Sequence, residues 1–288
     1  MKDLLAKAET LTEALPYIKR TMGRTVVIKY GGAAMTNPVL REQVAADVAL
    51  MKFVGINPVV VHGGGPEITS LMDRLGLAVE FHDGLRVTTD EAMEVVKMVL
   101  VGKVNPDLVA SINQHGRLAV GVSGDDGNLV SARQRSPRLG RVGEVTAIDT
   151  TVIDNLIEDG FIPVVATVAA GEDGGSYNVN ADLVAAELAT ALHADKIIFL
   201  TDVDGLYRDF ADKSSLISAL TPEQAEEMIV QSELEGGMVP KVAACVHALR
   251  GGVRRAHILN GTVPHALLLE VYTDAGVGTM IAADGEEA

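Results

Sequence analysis

The sequence predicts an α/β fold, a three-layer α/β/α sandwich whose central sheet is mainly parallel. Near-continuous apolar runs such as TVVIKY (25–30), PVVVH (58–62) and KIIFLTDV (196–203) are typical of strands buried on both faces. Segments with helix caps and helix-ending glycines separate these runs, and this alternation indicates helices on both faces of the sheet. The 288 residues, 48% of them hydrophobic, are enough for a large core.

The N-terminal segment has apolar side chains with a helical period of about 3.6 residues. Pro16 falls inside this stripe and predicts a kink or break, because proline removes a backbone hydrogen bond. The pattern leaves open whether the helix lies on its own domain or forms an arm that docks on another subunit. The stripe consists of Leu4, Ala8, Leu11, Leu15 and Ile18.

The first half then alternates strands and helices. After strand 25–30, Asn37 is expected to cap a helix that has Pro38 in its first turn and ends at Gly55. Thr88 and Glu91 predict a capping box for a long helical region that ends near Gly116. The other predicted elements are strand 58–62, helix 67–76, a short β excursion 79–88, strand 118–123, turns and antiparallel pieces over 123–145, helix 149–160 and strand 161–168.

The second half continues in the same way, without a linker or repeat that divides the chain. Thr221 and Gln224 predict a capping box at the start of helix 221–230. Any domain boundary is expected near 190–196, between a helix and a strand. The other predicted elements are helix 181–194, strand 196–203, helix 239–252, strand 255–261, helix 265–272 and strand 278–282.

Charge and cysteine content narrow the function. The formal net charge of −15 argues against a nucleic-acid partner and against an anionic membrane surface, which both require clustered cations. Cys245 is the only cysteine, so the chain has no internal disulfide and no cysteine-rich zinc site. The N-terminus MKDLLAKAET carries charges where a signal peptide is apolar, and FIPVVATVAAG is too short to span a bilayer. We therefore expect a cytoplasmic protein.

Three loops at predicted strand ends have an unusual composition: KYGGAAM (29–35), HGGGPE (62–67) and NVNAD (178–182). Ligands of open parallel sheets bind at the carboxyl ends of the strands. Glycine allows the backbone to approach a ligand closely, and free amides at a following helix start attract oxyanions. Two glycine-rich loops together with Lys29 therefore predict a site for phosphate or carboxylate groups.

Common motifs that could explain these loops fail. GGGPEI has isoleucine where a dinucleotide-binding G-x-G-x-x-G needs its third glycine, and no P-loop sequence exists. HGGG resembles an esterase oxyanion loop, but GVSGD breaks the required G-x-S-x-G at Asp125. DVDG and GDDGN are too short for calcium loops and are interpreted as turns, and the seven histidines lack paired metal spacing.

Six motifs, in order and approximate spacing, resemble the amino-acid kinase family over essentially the whole chain. They are IKYGG (28–32), VVVHGGGPEI (59–68), FHDGLRVT (81–88), NVNADLVAAELA (178–189), FLTDVDGLY (199–207) and GGMVPKV (236–242). FHDGLRVT and NVNAD are similar to the acetylglutamate kinases within that family. The resemblance implies transfer of the ATP γ-phosphoryl group to the side-chain carboxylate of N-acetyl-L-glutamate. Mg²⁺ would arrive with ATP, without a dedicated protein metal site.

The implied reaction needs no general base, because a carboxylate with a pKa of about 4.3 is already ionised at neutral pH. It needs cations that suppress repulsion between two anions and hold them in line. By resemblance, Lys29 lies beside the transferring phosphoryl group and Lys241 beside the leaving oxygen on the ATP side. Asp182 orients both lysines, although its position before LVAAELA also suits a helix N-cap.

The resemblance also implies the binding residues. Arg86 would grip the α-carboxylate of the substrate, since a planar guanidinium suits a bidentate carboxylate. Gly64 and Gly65 would offer amides to the substrate and the phosphoryl group, and Asn178, with the weaker candidate Asn180, would bind the substrate. The residues expected to border the phosphates and hold the nucleotide are Gly31, Gly32, Thr201 and Asp202.

A regulatory role is implied by the two ends of the chain. Arginine-inhibited members of the family have a kinked N-terminal helix that interlaces dimers into a hexamer, and residues 1–20 match it. The ending EVYTDAGVGTMI also resembles that subgroup and implies Lys196, Glu270 and Gly276 as effector residues. We therefore expect inhibition by L-arginine, a homo-oligomer, and an N-acetylglutamate-binding lobe at 21–193 beside an ATP-binding lobe at 194–288. Some family members also bind a PII-type signal protein.

Two alternatives stay open at this point. The chain could phosphorylate a longer N-acylated amino acid such as aminoadipate, because one methylene is worth only about 1–3 kcal/mol of discrimination. It could also be a non-catalytic arginine sensor on the same fold, although a sensor has no need of Lys29, Asp182 and Lys241. An NAD-linked oxidoreductase already fails its glycine fingerprint.

Overall fold

An eight-stranded sheet forms the centre of the protein in the computed structural model, which describes residues 9, 11–32, 35, 37–234, 237–273 and 276–283. Its order is β14-β16-β15-β11-β1-β2-β8-β5, and only the β15–β16 pair is antiparallel. The predicted mainly parallel sheet is therefore confirmed. The strands are β1 (Thr25–Tyr30), β2 (Asn57–His62), β5 (Ala119–Ser123), β8 (Ile162–Ala166), β11 (Lys196–Thr201), β14 (Ala219–Leu220), β15 (Arg255–Asn260) and β16 (Gly278–Ala282).

Helices cover both faces of this sheet, as the three-layer prediction requires. They are α1 (Leu15–Thr21), α2 (Pro38–Phe53), α3 (Gly65–Leu75), α4 (Asp90–Val99), α5 (Asn105–Asn113), α6 (Thr151–Glu158), α7 (Ala181–Ala191), α8 (Pro222–Val230), α9 (Met238–Arg250) and α10 (Ala266–Tyr272). A five-residue π-helix, Leu100–Val104, joins α4 to α5.

The alternation of side chains along β1 divides the core in two. Val26, Ile28 and Tyr30 pack into one apolar cluster with α2 and α4, while Val27 packs into a second cluster with α7 and α9. Successive side chains of a strand point to opposite faces, so Lys29 lies on the same face as Val27. The lysine of the first strand is thus directed toward α7.

Smaller β elements surround the carboxyl ends of the central strands. A four-stranded sheet has the order β10-β9-β6-β7, and two hairpins, β3–β4 and β12–β13, stand apart. Their bounds are β3 (Phe81–His82), β4 (Leu85–Arg86), β6 (Val130–Gln134), β7 (Gly143–Ile148), β9 (Val168–Gly171), β10 (Ser176–Asn178), β12 (Leu206–Tyr207) and β13 (Leu216–Ile217).

Local predictions meet mixed outcomes. Asn37 accepts hydrogen bonds from the first turn of α2, and the Thr221–Gln224 capping box is present, so both are confirmed. The capping box at Thr88 is wrong: Thr89 caps α4, while the Thr88 hydroxyl donates to the Arg86 carbonyl. The helix ahead of Pro16 is interrupted by a turn at Ala14. Leu11, Leu15 and Ile18 of the predicted stripe are described, while Leu4 and Ala8 lie outside the described residues.

The predicted boundary at 190–196 falls where α7 ends and β11 begins, so it lies between a helix and a strand as predicted. The sheet continues across it, because Ile28 of β1 pairs with both Val60 of β2 and Ile198 of β11. Within the described part of the chain, no helix has the length and apolar character needed to cross a membrane.

Candidate active site

Lys29 lies near the carboxyl end of β1 and is buried, with 8% of the residue exposed. The sequence makes room for it: a Cβ added at Gly31 would lie 2.6 Å from the Lys29 ammonium. Gly32 has a φ of +71°, in the left-handed region that favours glycine. The two glycines therefore serve a close approach and a turn, and Gly31 leaves room for the Lys29 ammonium.

Asp182 joins Lys29 to Lys241. The Lys29 ammonium lies 2.9 Å from Asp182 Oδ1, as an ion pair outside good hydrogen-bond alignment. The Lys241 ammonium donates to Asp182 Oδ2 at 2.9 Å. Asp182 comes from the first turn of α7 and Lys241 from the first turn of α9, which packs beside α7. Three elements distant in sequence thus bring two cations onto one carboxylate.

The environment keeps Asp182 ionised. Burial alone raises the pKa of this carboxyl, but the ammonium groups of Lys29 and Lys241 outweigh it and hold the pKa below its usual value. The predicted orienting aspartate is therefore an anion at neutral pH.

The alternative that Asp182 is a helix N-cap is wrong. The N-cap of α7 is Asn180, whose side chain accepts hydrogen bonds from the amides of Asp182 (2.9 Å) and Leu183 (3.1 Å). Capping by Asn180 leaves the Asp182 carboxylate available to both lysines. It also uses the Asn180 side-chain oxygen, although Asn180 still borders the neighbouring cavity.

A first cavity of about 320 Å³ opens on the Lys29 side of Asp182. The amides of Gly64 and Gly65 precede and begin α3, where free N–H groups and the helix dipole favour an anion. Neither amide donates a hydrogen bond within the described part of the chain. The predicted residues that line this cavity are Lys29, Gly31, Gly32, Gly64, Gly65, Arg86, Asn178, Asn180 and Asp182.

Arg86 forms one wall of the first cavity and is 7% exposed. Its guanidinium donates to the Gly65 carbonyl at 3.0 Å and to Thr69 Oγ1 at 2.6 Å, and it stacks on Phe81 at 4.8 Å. Among the described residues no carboxylate lies at ion-pair distance. Burial lowers the pKa of Arg86, opposed by Asp73, yet an arginine remains charged. A buried guanidinium without an anion is suited to the carboxylate of a ligand.

Asn178 ends β10 and faces the same cavity. Its Nδ2 donates to Thr88 Oγ1 at 3.2 Å, which fixes the orientation of the amide. Thr69, Phe81 and Thr88 hold the predicted ligand-binding side chains and were not assigned roles from the sequence. Phe81 and Thr88 lie inside the FHDGLRVT motif, whereas Thr69 gives no sequence signal, because its contact with Arg86 depends on how α3 packs on β4.

A second cavity, about 850 Å³, opens on the Lys241 side. Thr201, Asp202 and Lys241 line it, as predicted for the nucleotide. Thr201 shapes the turn after β11: its hydroxyl donates to the Val203 carbonyl at 2.8 Å. Gly31 and Gly32 border the first cavity instead, but a Cβ on Gly32 would strike the Asp202 carboxylate, so the two cavities adjoin there.

A third cavity of about 440 Å³ lies at the opposite ends of β11 and β15, next to α1. The predicted effector residues Lys196, Glu270 and Gly276 all line it. Lys196 is 7% exposed, and Glu270 lies 2.6 Å from the buried imidazole of His257. The structure thus brings these three residues together, away from Asp182.

The described residues contain no cluster of three or more His, Cys, Asp or Glu side chains arranged to hold a metal ion. The carboxylate between Lys29 and Lys241, that of Asp182, is already shared by these two cations.

Comparison with known proteins shows the family to which the chain belongs. Residues 24–260 match the model of the amino acid kinase family. A Heliobacterium modesticaldum protein named acetylglutamate kinase is 53% identical over 98% of this chain and 99% of its own length. Acetylglutamate kinases of Nostoc punctiforme (53%, covering 96% and 93%) and Synechocystis (52%, covering 99% and 96%) are similarly close.

Solved structures agree on the fold. N-acetylglutamate synthase from Neisseria gonorrhoeae, complexed with coenzyme A and N-acetyl-glutamate, superposes with a TM-score of 0.85 at 25% identity. The match covers 97% of this chain but 64% of the synthase, so the present chain spans less than two thirds of that protein. Carbamate kinase from Giardia lamblia, 17% identical, shares the fold with a TM-score of 0.66, covering 92% of this chain and 100% of its own. The chain therefore belongs to the amino acid kinase family, and its full-length curated relatives are acetylglutamate kinases.

Proposed function

We propose that this protein is a kinase that transfers the γ-phosphoryl group of ATP to the side-chain carboxylate of N-acetyl-L-glutamate and forms an acyl phosphate. One observation carries the proposal: Lys29 and Lys241 sit on the two oxygens of Asp182, between two adjoining cavities. The names of the full-length relatives support the same reaction.

The first cavity suits an acylated amino dicarboxylate. Its volume of about 320 Å³ is that of a small-ligand site, and Arg86 supplies a cation for one carboxylate. Lys29 and the free amides of Gly64 and Gly65 line the same cavity, and there the second carboxylate becomes the nucleophile. Asn178 adds an amide to the same lining. A ligand with two anionic ends therefore meets cationic or N–H groups at both.

The second cavity is assigned to ATP. Lys241 reaches from its wall to Asp182, so this ammonium faces the junction where the leaving β-phosphate oxygen would lie. Lys29, on the other side of Asp182, would face the transferring phosphoryl group. Two fixed cations lower the repulsion between an anionic nucleophile and a polyphosphate, and their charge matters most in the transition state. Asp182 holds both in place and does not act as a base.

Mg²⁺ would be carried by the ATP phosphates and water, where it neutralises phosphate charge. The donor set fits this arrangement, since the single carboxylate between the lysines is already neutralised.

We propose two lobes on this basis: residues 21–193 bind N-acetylglutamate and residues 194–288 bind ATP. In support, the residues that line the first cavity run from Lys29 to Asp182, and those that line the second run from Thr201 to Lys241. We also propose that the protein acts in the cytoplasm, because ATP is present there and Cys245 is a free, buried thiol.

Turnover is the direct test. Purified protein is incubated with ATP, Mg²⁺ and N-acetyl-L-glutamate, and the acyl phosphate is trapped with hydroxylamine as its hydroxamate. We expect ATP- and substrate-dependent hydroxamate, with N-acetyl-L-aspartate and N-acetyl-L-aminoadipate as shorter and longer competitors. Absence of product with all three acids would contradict the proposal. Preference for N-acetyl-L-aminoadipate would show that the substrate is one methylene longer than N-acetylglutamate.

We further propose that L-arginine inhibits this enzyme through the third cavity, in a homo-oligomer built with the N-terminal helix. Glu270 offers a carboxylate for a guanidinium, and Lys196 a cation for an amino-acid carboxylate. Leu11 and Leu15, 74% and 61% exposed, supply apolar surface on the helix for another subunit. Deletion of residues 1–18 should reduce both the arginine response and the oligomer measured by light scattering; an unchanged response would overturn this role.

A further inference from the structure

We propose that His62 and Asn105 are positioning residues that hold the glycine loop 63–65 in the conformation needed for phosphoryl transfer. The proposal rests on the function proposed above. Neither residue borders the first cavity, so each acts through the loop and not on the substrate.

His62 is the last residue of β2 and is fully buried. Its Nδ1 lies 2.9 Å from the carbonyl oxygen of Gly63, the first residue of the loop. The backbone carbonyl of His62 accepts a hydrogen bond from Thr167 Oγ1 at 3.3 Å, and Thr167 borders the cavity. The imidazole is therefore anchored at the junction between strand and loop.

Asn105 fixes which ring nitrogen carries the proton. Its Nδ2 lies 3.0 Å from His62 Nε2 and also donates to the Val164 carbonyl at 2.8 Å. An amide NH₂ only donates, so Nε2 accepts and Nδ1–H donates to Gly63. Burial, opposed by the hydrogen bond to Gly63, lowers the pKa of His62 to about 4, and the ring is neutral at working pH.

The hydrogen bond to Gly63 sets the direction of the next amide. The Gly63–Gly64 peptide is planar, so a carbonyl held on the imidazole points the Gly64 N–H to the opposite side, away from the buried ring. That N–H has no partner within the described part of the chain. A rotation of this peptide would bring the carbonyl oxygen toward a phosphate or carboxylate and replace attraction by repulsion.

The π-helix explains how Asn105 reaches the ring. Asn105 follows Leu100–Val104 directly, and π-helical turns inside α-helices occur often at functional sites. The same segment packs on the loop: a Cβ added at Gly64 would lie 2.8 Å from Leu100 Cδ2. Gly121 leaves space for the amide, since a Cβ there would overlap Asn105 Oδ1. Helix, strand and loop are thus fitted around one hydrogen-bonded pair.

Two substitutions of His62 separate positioning from packing. In His62→Asn the amide takes the place of Nδ1 and still donates to Gly63, whereas in His62→Gln the amide takes the place of Nε2 and loses that contact. We expect kcat of His62→Asn within about threefold of the parent and kcat of His62→Gln at least about tenfold lower, with the KM for ATP unchanged in both. Thermal unfolding of both variants supplies the structural control.

Asn105→Asp gives an independent readout. A carboxylate accepts instead of donating, so it takes the proton at Nε2, and the neutral ring then has none at Nδ1 for Gly63. A nearby anion also raises the pKa of the imidazole. We expect kcat to fall as pH rises through this raised pKa, a limb that the parent protein lacks.

Parallel hydroxamate assays distinguish failure of the proposed function from failure of the proposed positioning role. No product with the parent protein overturns the proposed function. If the parent protein is active and kcat falls equally in His62→Asn and His62→Gln, following the loss in unfolding temperature, the positioning role is overturned. His62 then has a packing role only. If both His62 variants fail to fold, the pH profile of Asn105→Asp decides: a profile parallel to that of the parent overturns the proposal, and the new limb supports it.

Discussion

Two buried cationic regions of the molecule differ in how their charges are compensated. At the candidate active site, Lys29 and Lys241 share the carboxylate of Asp182, with both nitrogens 2.9 Å from it. In the third cavity, Lys196 is equally buried but has no carboxylate at ion-pair distance among the described residues. Among the described residues, six cations line that cavity against two carboxylates: Lys19, Arg20, Arg24, Lys196, Arg254 and Arg255 against Asp195 and Glu270.

We propose that this difference separates cations that catalyse from cations that bind a ligand. Cations that catalyse must be in place before the reactants arrive, since preorganised charge requires no rearrangement during the reaction. Cations that bind an anionic ligand are more useful when no protein carboxylate already neutralises them. Burial lowers the pKa of Lys196, and Arg255 lowers it further, so an anionic group entering the cavity relieves both effects. Arg86 resembles Lys196 in this respect, and on this ground we propose that it binds a ligand and does not belong to the proposed catalytic pair.

The largest effect is expected at the paired lysine. Lys29→Ala should lower kcat about 10²–10³-fold, the usual range for removing one preorganised group that stabilises transition-state charge, with little change in ATP affinity. Steady-state kinetics and ATP titration measure the two quantities. Lys103→Ala removes the same charge from an exposed site and is the control. An unaffected kcat would show that Lys29 is not catalytic.

Asp182→Asn tests whether the carboxylate holds the lysines together. Two buried ammonium groups lose their shared anion, so the free energy of unfolding at pH 7 should fall by about 3 kcal/mol. Because the pKa of Asp182 is lowered in the folded protein, its contribution is present above the unfolded pKa and is lost as pH falls through the folded value. The stability difference between parent and variant should therefore shrink below about pH 4. A difference independent of pH would contradict the ion-pair role.

Arg86→Lys tests a binding cation. A lysine cannot reproduce the planar fork that contacts Gly65 and Thr69 and faces the cavity, so the KM for N-acetylglutamate should rise about 10–100-fold. The KM for ATP should stay near its parent value. Arg133→Lys, on the surface beside Glu144, is the matched control. An effect confined to ATP would reassign Arg86.

Lys196→Met tests the receptor side and has the smallest expected effect. The apparent inhibition constant for L-arginine should rise about tenfold, the size of one hydrogen bond to a charged group. The measurement is the ratio of rates with and without arginine over a concentration series, with Lys103→Met as control. An unchanged inhibition curve would remove Lys196 from the effector site.

Much of the fold was predictable because its signals are local. Apolar strands, the Asn37 cap and the Thr221–Gln224 capping box all depend on neighbouring residues. The misplaced cap at Thr88 has the same origin, since Thr88 and Thr89 are adjacent and only packing decides which enters the helix. The π-helix after α4 and the β9–β10 pair have no comparable local pattern and were not predicted.

The site was predictable in its members but not in its contacts. Glycine loops and the resemblance to a kinase family predicted Lys29, Asp182 and Lys241 as site residues, and the structure brings these three side chains together. That Asn180, and not Asp182, caps α7 follows from backbone geometry that the motif NVNAD does not encode. His62 was quoted within the glycine motif without a role, because its partner Asn105 is 43 residues away along the chain.

The sequence alone determined the α/β class, the strand and helix order, the acidic character and the kinase motifs, since each depends on residue type and short spacing. The tertiary structure decided which charges meet. β1, α7 and α9 converge so that two lysines share one aspartate, while Lys196 and Arg86 are buried with no carboxylate at ion-pair distance in the described part of the chain. Ion pairs and hydrogen bonds act over a few ångströms, so their partners are fixed by packing between elements that sequence proximity does not relate.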